Sequence, residues 1–270
     1  MKRLMNLKKE AMKINKLYNE NCLDTLKRMP DKFVDLVVTS PPYDGLRTYN
    51  GYSFPFEDIA KELFRVTKDG GVVVWIVGDA TVKGSESGTS FRQALYFKEI
   101  GFRIHDTMIY YKTCFPPLTH NRYEQSFEYM FVLSKGKPKT FNPIMVDCDT
   151  AGTRRPRYKS NKERGSAVRN DDRVDIINPK KQKNNVWHIR PNNTRHEHPA
   201  IFPEKLAVDH IKTWSNEKDL IYDPFAGSGT TLKMAHLLKR EWIGSEISKQ
   251  YVELAEKRLR PYLMQRTLAL

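Results

Sequence analysis

Cysteine is scarce: the chain has three, Cys22, Cys114 and Cys148. The number is odd and the spacing is not that of a metal site. This excludes a disulfide framework as the source of stability and points to a reducing compartment, the cytoplasm. Long hydrophobic runs are missing as well. No stretch is long enough to cross a bilayer as a helix, so no membrane partner is expected. The opening MKRLMNLKKEAMKINK is basic but has no continuous apolar segment, which argues against a secretory leader. Residues 1–11 read as a loosely held extension, with Met12 as a second conceivable start. Acid is the minority charge. The 46 Lys plus Arg outweigh 32 Asp plus Glu, for a net +14 and a pI near 9.6. A surplus of this size suits a polyanionic partner, nucleic acid first; a lysine-rich proteome would give the same balance.

What is present is an alternation of apolar segments across 270 residues, enough for one large domain or a domain with an insertion. FVDLVV (33–38) reads as a buried strand. Phe56, Ile59, Ala60, Leu63 and Phe64 fall at helical spacing over 56–66, and Gly70 and Gly71 are read as the stop of that helix. VVVWIV (72–77) is a second buried strand. A helix follows around Phe91, Ala94, Leu95 and Ile100, then strand-like stretches at 102–111 and 128–134. Near-continuous apolar strands alternating with helices indicate an α/β fold with a parallel-rich sheet.

After Lys135 the pattern breaks. Residues 135–198 hold 16 Lys plus Arg against 7 Asp plus Glu, a net +9, with few apolar pairs. The alternation then resumes: a helix at 203–214 opened by Pro203, a strand at 220–223, a helix at 230–240, a strand at 242–246 and a last helix at 248–260. The chain therefore divides into 1–135, a basic stretch 136–197, and 198–270.

Two motifs carry the chemistry. Thr39-Ser40-Pro41-Pro42-Tyr43 ends the first strand at a stiff turn, since neither proline donates a backbone hydrogen bond. The turn holds a hydroxyl, carbonyls with fixed directions and an aromatic ring. The second motif is DPFAGSGTT, residues 223–231, between a strand and a helix. Its glycines allow a tight turn and a close backbone approach to a ligand, and the following helix offers free amides to an anion. Glu246 lies at the end of the next strand, where an acid can bind ribose hydroxyls. Dinucleotide and S-adenosylmethionine sites share this pattern, and periodicity does not separate them.

TSPPY and DPFAGSGTT, with HPAIFPEKLA (198–207) and WIGSEI between and after them, resemble the β group of S-adenosylmethionine-dependent DNA amino-methyltransferases. The motif order matches: catalytic motif, basic segment, cofactor motif. The resemblance covers nearly the whole chain. It implies a Rossmann-like class I methyltransferase sheet in circularly permuted order, with 136–197 inserted as the target-recognition region. It also implies a bacterial restriction–modification enzyme, cytoplasmic and nucleoid-associated, acting on duplex DNA. A cognate restriction endonuclease and a homodimer are the further partners it brings in. Ser40, Pro41, Pro42 and Tyr43 are its catalytic residues. S-adenosylmethionine would be held by Asn21, Cys22, Thr39, Phe202, Asp223, Pro224, Phe225, Gly227, Ser228, Gly229, Thr230, Thr231 and Glu246. No metal is implied; the His196-Glu197-His198 run lacks zinc-enzyme spacing.

Within the family, Ser at the first motif position is typical of methylation at N4 of cytosine, and Asp or Asn of N6 of adenine. N4-cytosine is therefore the expected product, N6-adenine the alternative, and an RNA substrate a further one. None of the three cysteines follows a proline, so the covalent route of carbon-5 methylation has no candidate nucleophile. The chain departs from the family at Glu20-Asn21, where Gly-Asp is usual and the Asp contacts the cofactor's adenine. The stretch 83–91, KGSESGTSF, reads either as a loop over the site or as an ordinary connection. Trp75 is read as a packing residue, and Trp187 equally as packing or base contact.

Overall fold

In a computed structural model the described residues are 12–42, 54–114, 122–161, 166–191 and 203–268, with side chains described except at 156–161, 166–174 and 265–268. The expected extension over 1–11 lies outside them. The chain forms two compact units, one comprising Pro143–Asn184 and the other the flanking sequence.

The larger unit is built on an eight-stranded sheet. Its strands are β1 (Lys16–Tyr18), β2 (Val34–Thr39), β3 (Thr67–Val77), β4 (Arg103–Lys112), β5 (Phe127–Ser134), β6 (Val186–Ile189), β7 (Leu220–Asp223) and β8 (Glu241–Ser245). The helices are α1 (Cys22–Arg28), α2 (Phe56–Val66), α3 (Thr89–Glu99), α4 (Glu204–Trp214), α5 (Thr230–Leu237) and α6 (Lys249–Leu268). The strand order is β1-β8-β7-β2-β3-β5-β4-β6. Neighbours are parallel except at β5, which runs antiparallel to both β3 and β4. Among the described residues no helix is long and apolar enough to cross a membrane.

The central strands are apolar on both faces because both are covered. Leu36, Val37, Val38, Val73, Val74, Trp75 and Ile76 are all fully buried. Helix α2 turns Ile59, Ala60, Leu63 and Val66 inward. Trp75 packs edge-on against Phe97, centroids 5.1 Å apart, and its Nε1 donates to Gln93 Oε1 at 2.8 Å, which satisfies the buried indole. Trp187 is also buried, with its ring 4.5 Å from that of His210. Both tryptophans are core residues.

Several boundaries differ from the sequence reading, each for a local reason. Gly70 and Gly71 do not end α2. The Thr67 hydroxyl donates to the Leu63 carbonyl at 2.6 Å and closes the helix first. The glycines instead form an irregularity near the start of β3. There Gly70 has φ +78°, and a Cβ on Gly71 would sit 2.9 Å from Lys68 O and 3.0 Å from Asp35 O. Helix α5 stops at Leu237, because Lys239 turns left-handed at φ +61°. Helix α6 runs through Pro261, beyond the expected end at 260. His236 reaches the Tyr262 carbonyl at 3.3 Å, and Lys233 lies over the Tyr262 ring at 4.7 Å, so α5 grips α6 past the proline.

Strands β1 and β6 and helix α1 had no counterpart in the sequence reading. β6 lies within the basic stretch, yet it joins the main sheet beside β4, with Trp187 opposite Tyr110. Residues 83–91 are not one long loop. They contain part of a small hairpin, Thr81–Val82 against Ser85–Glu86, followed by the start of α3. The second unit, Pro143–Asn184, holds two antiparallel pairs. Met145–Asp147 pairs with Lys180–Gln182, and Arg154–Asn161 with Ser166–Ile176 across a register shift.

Gly71→Ala is expected to destabilise the protein by about 1–3 kcal/mol, because beside the Thr67 methyl its neighbours are two backbone carbonyls that cannot swing aside. Urea unfolding should show a lower midpoint with an unchanged slope. An unchanged midpoint would contradict the close packing described at the β2–β3 start.

Candidate active site

β2 and β7 are adjacent and parallel, in the register Leu36 opposite Ile221 and Val37 opposite Tyr222. Their carboxyl ends therefore lie together, although the motifs that follow them are far apart in sequence. Thr39 Oγ1 donates to Asp223 Oδ1 at 2.7 Å, with both residues buried. The same carboxylate oxygen accepts the Phe225 amide at 3.1 Å and so shapes the turn that follows. Thr231, in the first turn of α5, donates to the Val38 carbonyl at 3.2 Å. The end of β2 is thus tied to both ends of DPFAGSGTT. Directly after Thr39, Ser40 is half-buried, Pro41 buried and Pro42 half-buried. Tyr43 lies outside the described residues, as do Phe202 and the His196-Glu197-His198 run.

The glycine turn uses two left-handed positions, Gly227 at φ +50° and Gly229 at φ +77°, a region where side chains with a Cβ are strained. Pro224 is buried, and Phe225 is half-buried with edge contacts to Phe54 at 5.6 Å and Trp75 at 6.2 Å. Ser228, Thr230 and Thr231 are buried.

Glu246 follows β8 immediately. Its Oε2 accepts the Gly227 amide at 2.9 Å, and its Oε1 accepts the Ser248 amide at 2.8 Å. A carboxylate offers about four acceptor positions, so this one is held at both oxygens and still has lone pairs for a diol. Burial pushes its pKa up, opposed by the amides of Ser248, Gly227 and Ile247. The Glu246 backbone is fixed too. Its amide donates to the Tyr18 carbonyl at 3.0 Å, and Asn19 Nδ2 donates to the carbonyls of Glu246 at 2.9 Å and Ile247 at 3.1 Å.

Below this acid a chain of hydroxyls joins β7, β8 and α1. Tyr222 OH meets Ser245 Oγ at 2.9 Å, Ser245 donates to Thr25 at 2.9 Å, and Thr25 donates to Glu20 at 2.5 Å. Since each serine or threonine proton passes toward Glu20, Tyr222 is the donor at the far end. Burial pushes the Tyr222 phenol well up, which keeps it neutral. Burial raises the Glu20 carboxyl as well, but hydrogen bonds from Arg28 and Thr25 and the charge of Arg28 outweigh it, and the net shift is downward. The Glu20 carboxylate is thereby committed to Arg28, which also lies over the Tyr18 ring at 5.2 Å. Asn21 caps α1, its Oδ1 accepting the Leu23 amide at 2.9 Å. Cys22 is buried, and burial pushes its thiol up to about 12, so it is no nucleophile at neutral pH.

The structure thus brings Thr39, Ser40, Asp223, Phe225, Gly227 and Glu246 to the carboxyl ends of adjoining strands, where open α/β sheets bind ligands. Asn21 and Cys22 follow β1 at the same end. Asn19, Thr25 and Arg258 were missed by sequence reasoning. Asn19 bonds Ile247, Thr25 accepts from Ser245 and Arg258 bonds Ser228, partners 228, 220 and 30 residues away, so no local spacing marks them.

Residues 34–257 match the family described as DNA methylase, of the N6 and N4 type. The chain is 54% identical over 245 residues to the orphan methyltransferase M.BamHII of Bacillus amyloliquefaciens, covering 87% of this chain and 91% of that protein. Among solved structures, it resembles the cytosine-N4-specific PvuII DNA methyltransferase with a TM-score of 0.65 at 21% identity, over 91% of this chain and 90% of that one. It also resembles the DNA modification methylase TTHA0409 of Thermus thermophilus, complexed with S-adenosyl-L-methionine. That likeness has a TM-score of 0.61 at 24% identity and covers 91% of this chain and 95% of the other. The expected α/β class, a class I methyltransferase sheet, is the fold observed.

Burial sets a pH response. Burial raises the Asp223 carboxyl from 3.8 to about 6, opposed by hydrogen bonds from Thr39 and the Phe225 amide. The folded state therefore binds this proton more tightly than the unfolded chain. The contribution is fully present below the unfolded value and is lost as pH rises through about 6. Relative to Asp223→Asn, the wild type is expected to lose about 1–3 kcal/mol of stability between pH 4 and pH 7. Urea titrations across that window check it; parallel pH profiles for the two proteins would contradict it.

Proposed function

The chain belongs to the N6/N4 DNA methylase family and is a DNA methyltransferase, and from that premise we propose that it transfers a methyl group from S-adenosylmethionine to the N4 amino group of cytosine in duplex DNA. The observation that carries this reading is the Thr39–Asp223 hydrogen bond. It sets Ser40, next in the chain, beside the turn that shapes the cofactor site.

The residues present fit the cofactor. Glu246 is a fixed acceptor suited to the ribose hydroxyls, and the turn from Asp223 to Thr230 offers glycine backbone and a helix start to the amino-acid end. Asn21 would offer the adenine a neutral amide where the family usually has Asp. Its oxygen is already engaged by the Leu23 amide, so the amide is oriented before any ligand arrives. Bound there, S-adenosylmethionine supplies an electrophilic sulfonium methyl.

The exocyclic amino group of cytosine is a weak nucleophile, because its lone pair is delocalised into the ring. Ser40 Oγ and the Pro41 carbonyl each accept one amino proton. With both protons held, the nitrogen turns pyramidal and its lone pair becomes available for in-line transfer. The two prolines fix the direction of these acceptors, so little reorganisation is needed during reaction. No base is required before transfer, since the nitrogen becomes acidic only once methylated, and the surplus proton then leaves to water. The target must leave the helix to reach Ser40, at a cost of a few kcal/mol, and Tyr43 stacks on the flipped base, worth roughly 1–3 kcal/mol.

The net charge of +14 supports binding to the phosphate backbone, and the basic stretch 136–197 is the proposed target-recognition region. Serine at position 40 favours N4 of cytosine over N6 of adenine, and the cytosine-N4 specificity of the PvuII neighbour points the same way. A cognate endonuclease and a homodimer complete the proposal on the family resemblance alone.

Mass spectrometry of nucleosides from duplex DNA and, in parallel, structured RNA, each incubated with the protein and methyl-labelled S-adenosylmethionine, tests this reading. Label is expected in N4-methylcytosine, with kcat about 100-fold lower in Ser40→Ala and cofactor affinity retained. Label in N6-methyladenine would overturn the choice of base. Label only in RNA would overturn the substrate.

A further inference from the structure

Helix α6 backs directly onto the glycine turn. A Cβ at Gly229 would stand 2.9 Å from Ala255 Cβ. One turn further along α6, Arg258 reaches the same segment. Its Nη1 donates to the Ser228 carbonyl at 2.6 Å and to Ser228 Oγ at 2.7 Å, with Thr230 Oγ1 at 3.4 Å. Its Nη2 meets Glu204 Oε1 at 3.2 Å, and Lys233 Nζ on α5 meets the same oxygen at 2.9 Å. Arg258 therefore joins the turn, the start of α5 and the first residue of α4.

The Ser228–Gly229 peptide is held at both ends. Its carbonyl accepts from Arg258, and its amide donates to the Ala226 carbonyl at 2.7 Å. Ser228 is buried, so losing the guanidinium would strand a carbonyl away from water. The cheapest relief is rotation of that peptide. Glycine at position 229 lowers the barrier to it, because glycine tolerates both signs of φ. The carbonyl could then turn toward the ligand side of the turn, where the cofactor's carboxylate would meet a negative dipole instead of amides.

We infer that Arg258 is a positioning residue for cofactor binding: through Ser228 it holds the glycine turn, whose Phe225, Ala226, Gly227 and Gly229 amides are spent within the fold, in the form that lets the start of α5 face the amino-acid end of S-adenosylmethionine. The inference rests on the cofactor site proposed above. Arg258 touches neither the methyl group nor the base, so its loss acts on affinity and not on the transfer step.

The test is equilibrium binding of S-adenosylhomocysteine by calorimetry, with steady-state kinetics and ligand-free melting temperature, for wild type, Arg258→Ala and Arg258→Lys. Arg258→Ala is expected to weaken binding about 10- to 100-fold, raise the cofactor KM in proportion and leave kcat at saturation within about threefold. Arg258→Lys keeps one charged donor for the Ser228 carbonyl and is expected to recover most of the affinity. If Arg258→Ala fails to fold, Arg258→Lys decides, with near-wild-type affinity supporting the assignment. Unchanged affinity in a folded Arg258→Ala would overturn it. So would a loss confined to kcat, or a folded Arg258→Lys that binds as poorly as the alanine variant. Wild-type protein that binds no S-adenosylhomocysteine would sink the proposed cofactor site itself, which is a separate failure.

Discussion

One buried hydrogen bond organises the reactive end of this molecule. Thr39 at the end of β2 donates to Asp223 at the end of β7, and each residue opens a motif that would be inert alone. The bond sits in a costly place. A fully buried carboxylate is disfavoured, and its pKa rises accordingly. Two donors, the Thr39 hydroxyl and the Phe225 amide, offset part of that cost. These two contacts, with the bond from Thr231 to the Val38 carbonyl, set the path of both turns, so desolvation is tolerated where it fixes geometry.

From this point the site is built outward by satisfying backbone groups. Glu246 secures the Gly227 amide, Asn19 secures the backbone of Glu246, and Asn21 secures the start of α1. On the far side Arg258 secures the Ser228 carbonyl. A ligand entering such a site meets groups whose directions are already settled, which is the condition for binding and transfer without reorganisation. The hydroxyl chain from Tyr222 to Glu20 extends this order to α1, whose Leu26 carbonyl also accepts from Arg65 at 2.7 Å.

The sequence displayed the strands of the sheet centre and the motifs at their ends, because a strand buried on both faces leaves an unbroken apolar run and a glycine turn leaves its glycines. FVDLVV and VVVWIV were legible for the first reason, and DPFAGSGTT for the second. Other features left no such mark. Val186–Ile189 is four residues long and flanked by charge, so its place in the main sheet depends on pairing with β4. Gly70 and Gly71 looked like a helix stop, but Thr67 ends the helix and the glycines admit neighbouring backbone. Lys239 closes α5 in a left-handed conformation that usually signals glycine, and α6 continues past a proline to Tyr262, which α5 contacts through His236 and Lys233. Asn19 and Arg258 serve partners that only the folded chain brings near.

The central claim is that the serine motif and the glycine motif form one site, with Glu246 at its ribose end and Ser40 at its reactive end. A crystal structure with S-adenosylhomocysteine and a duplex carrying a flipped cytosine tests it most directly. The account predicts ribose hydroxyls within hydrogen-bond distance of the Glu246 carboxylate and the cytosine amino group between Ser40 Oγ and the Pro41 carbonyl. Ligand density in the groove lined by Leu17, Trp242, Leu259 and Met264 at the β1 edge of the sheet, with the strand ends of β2 and β7 empty, would contradict it.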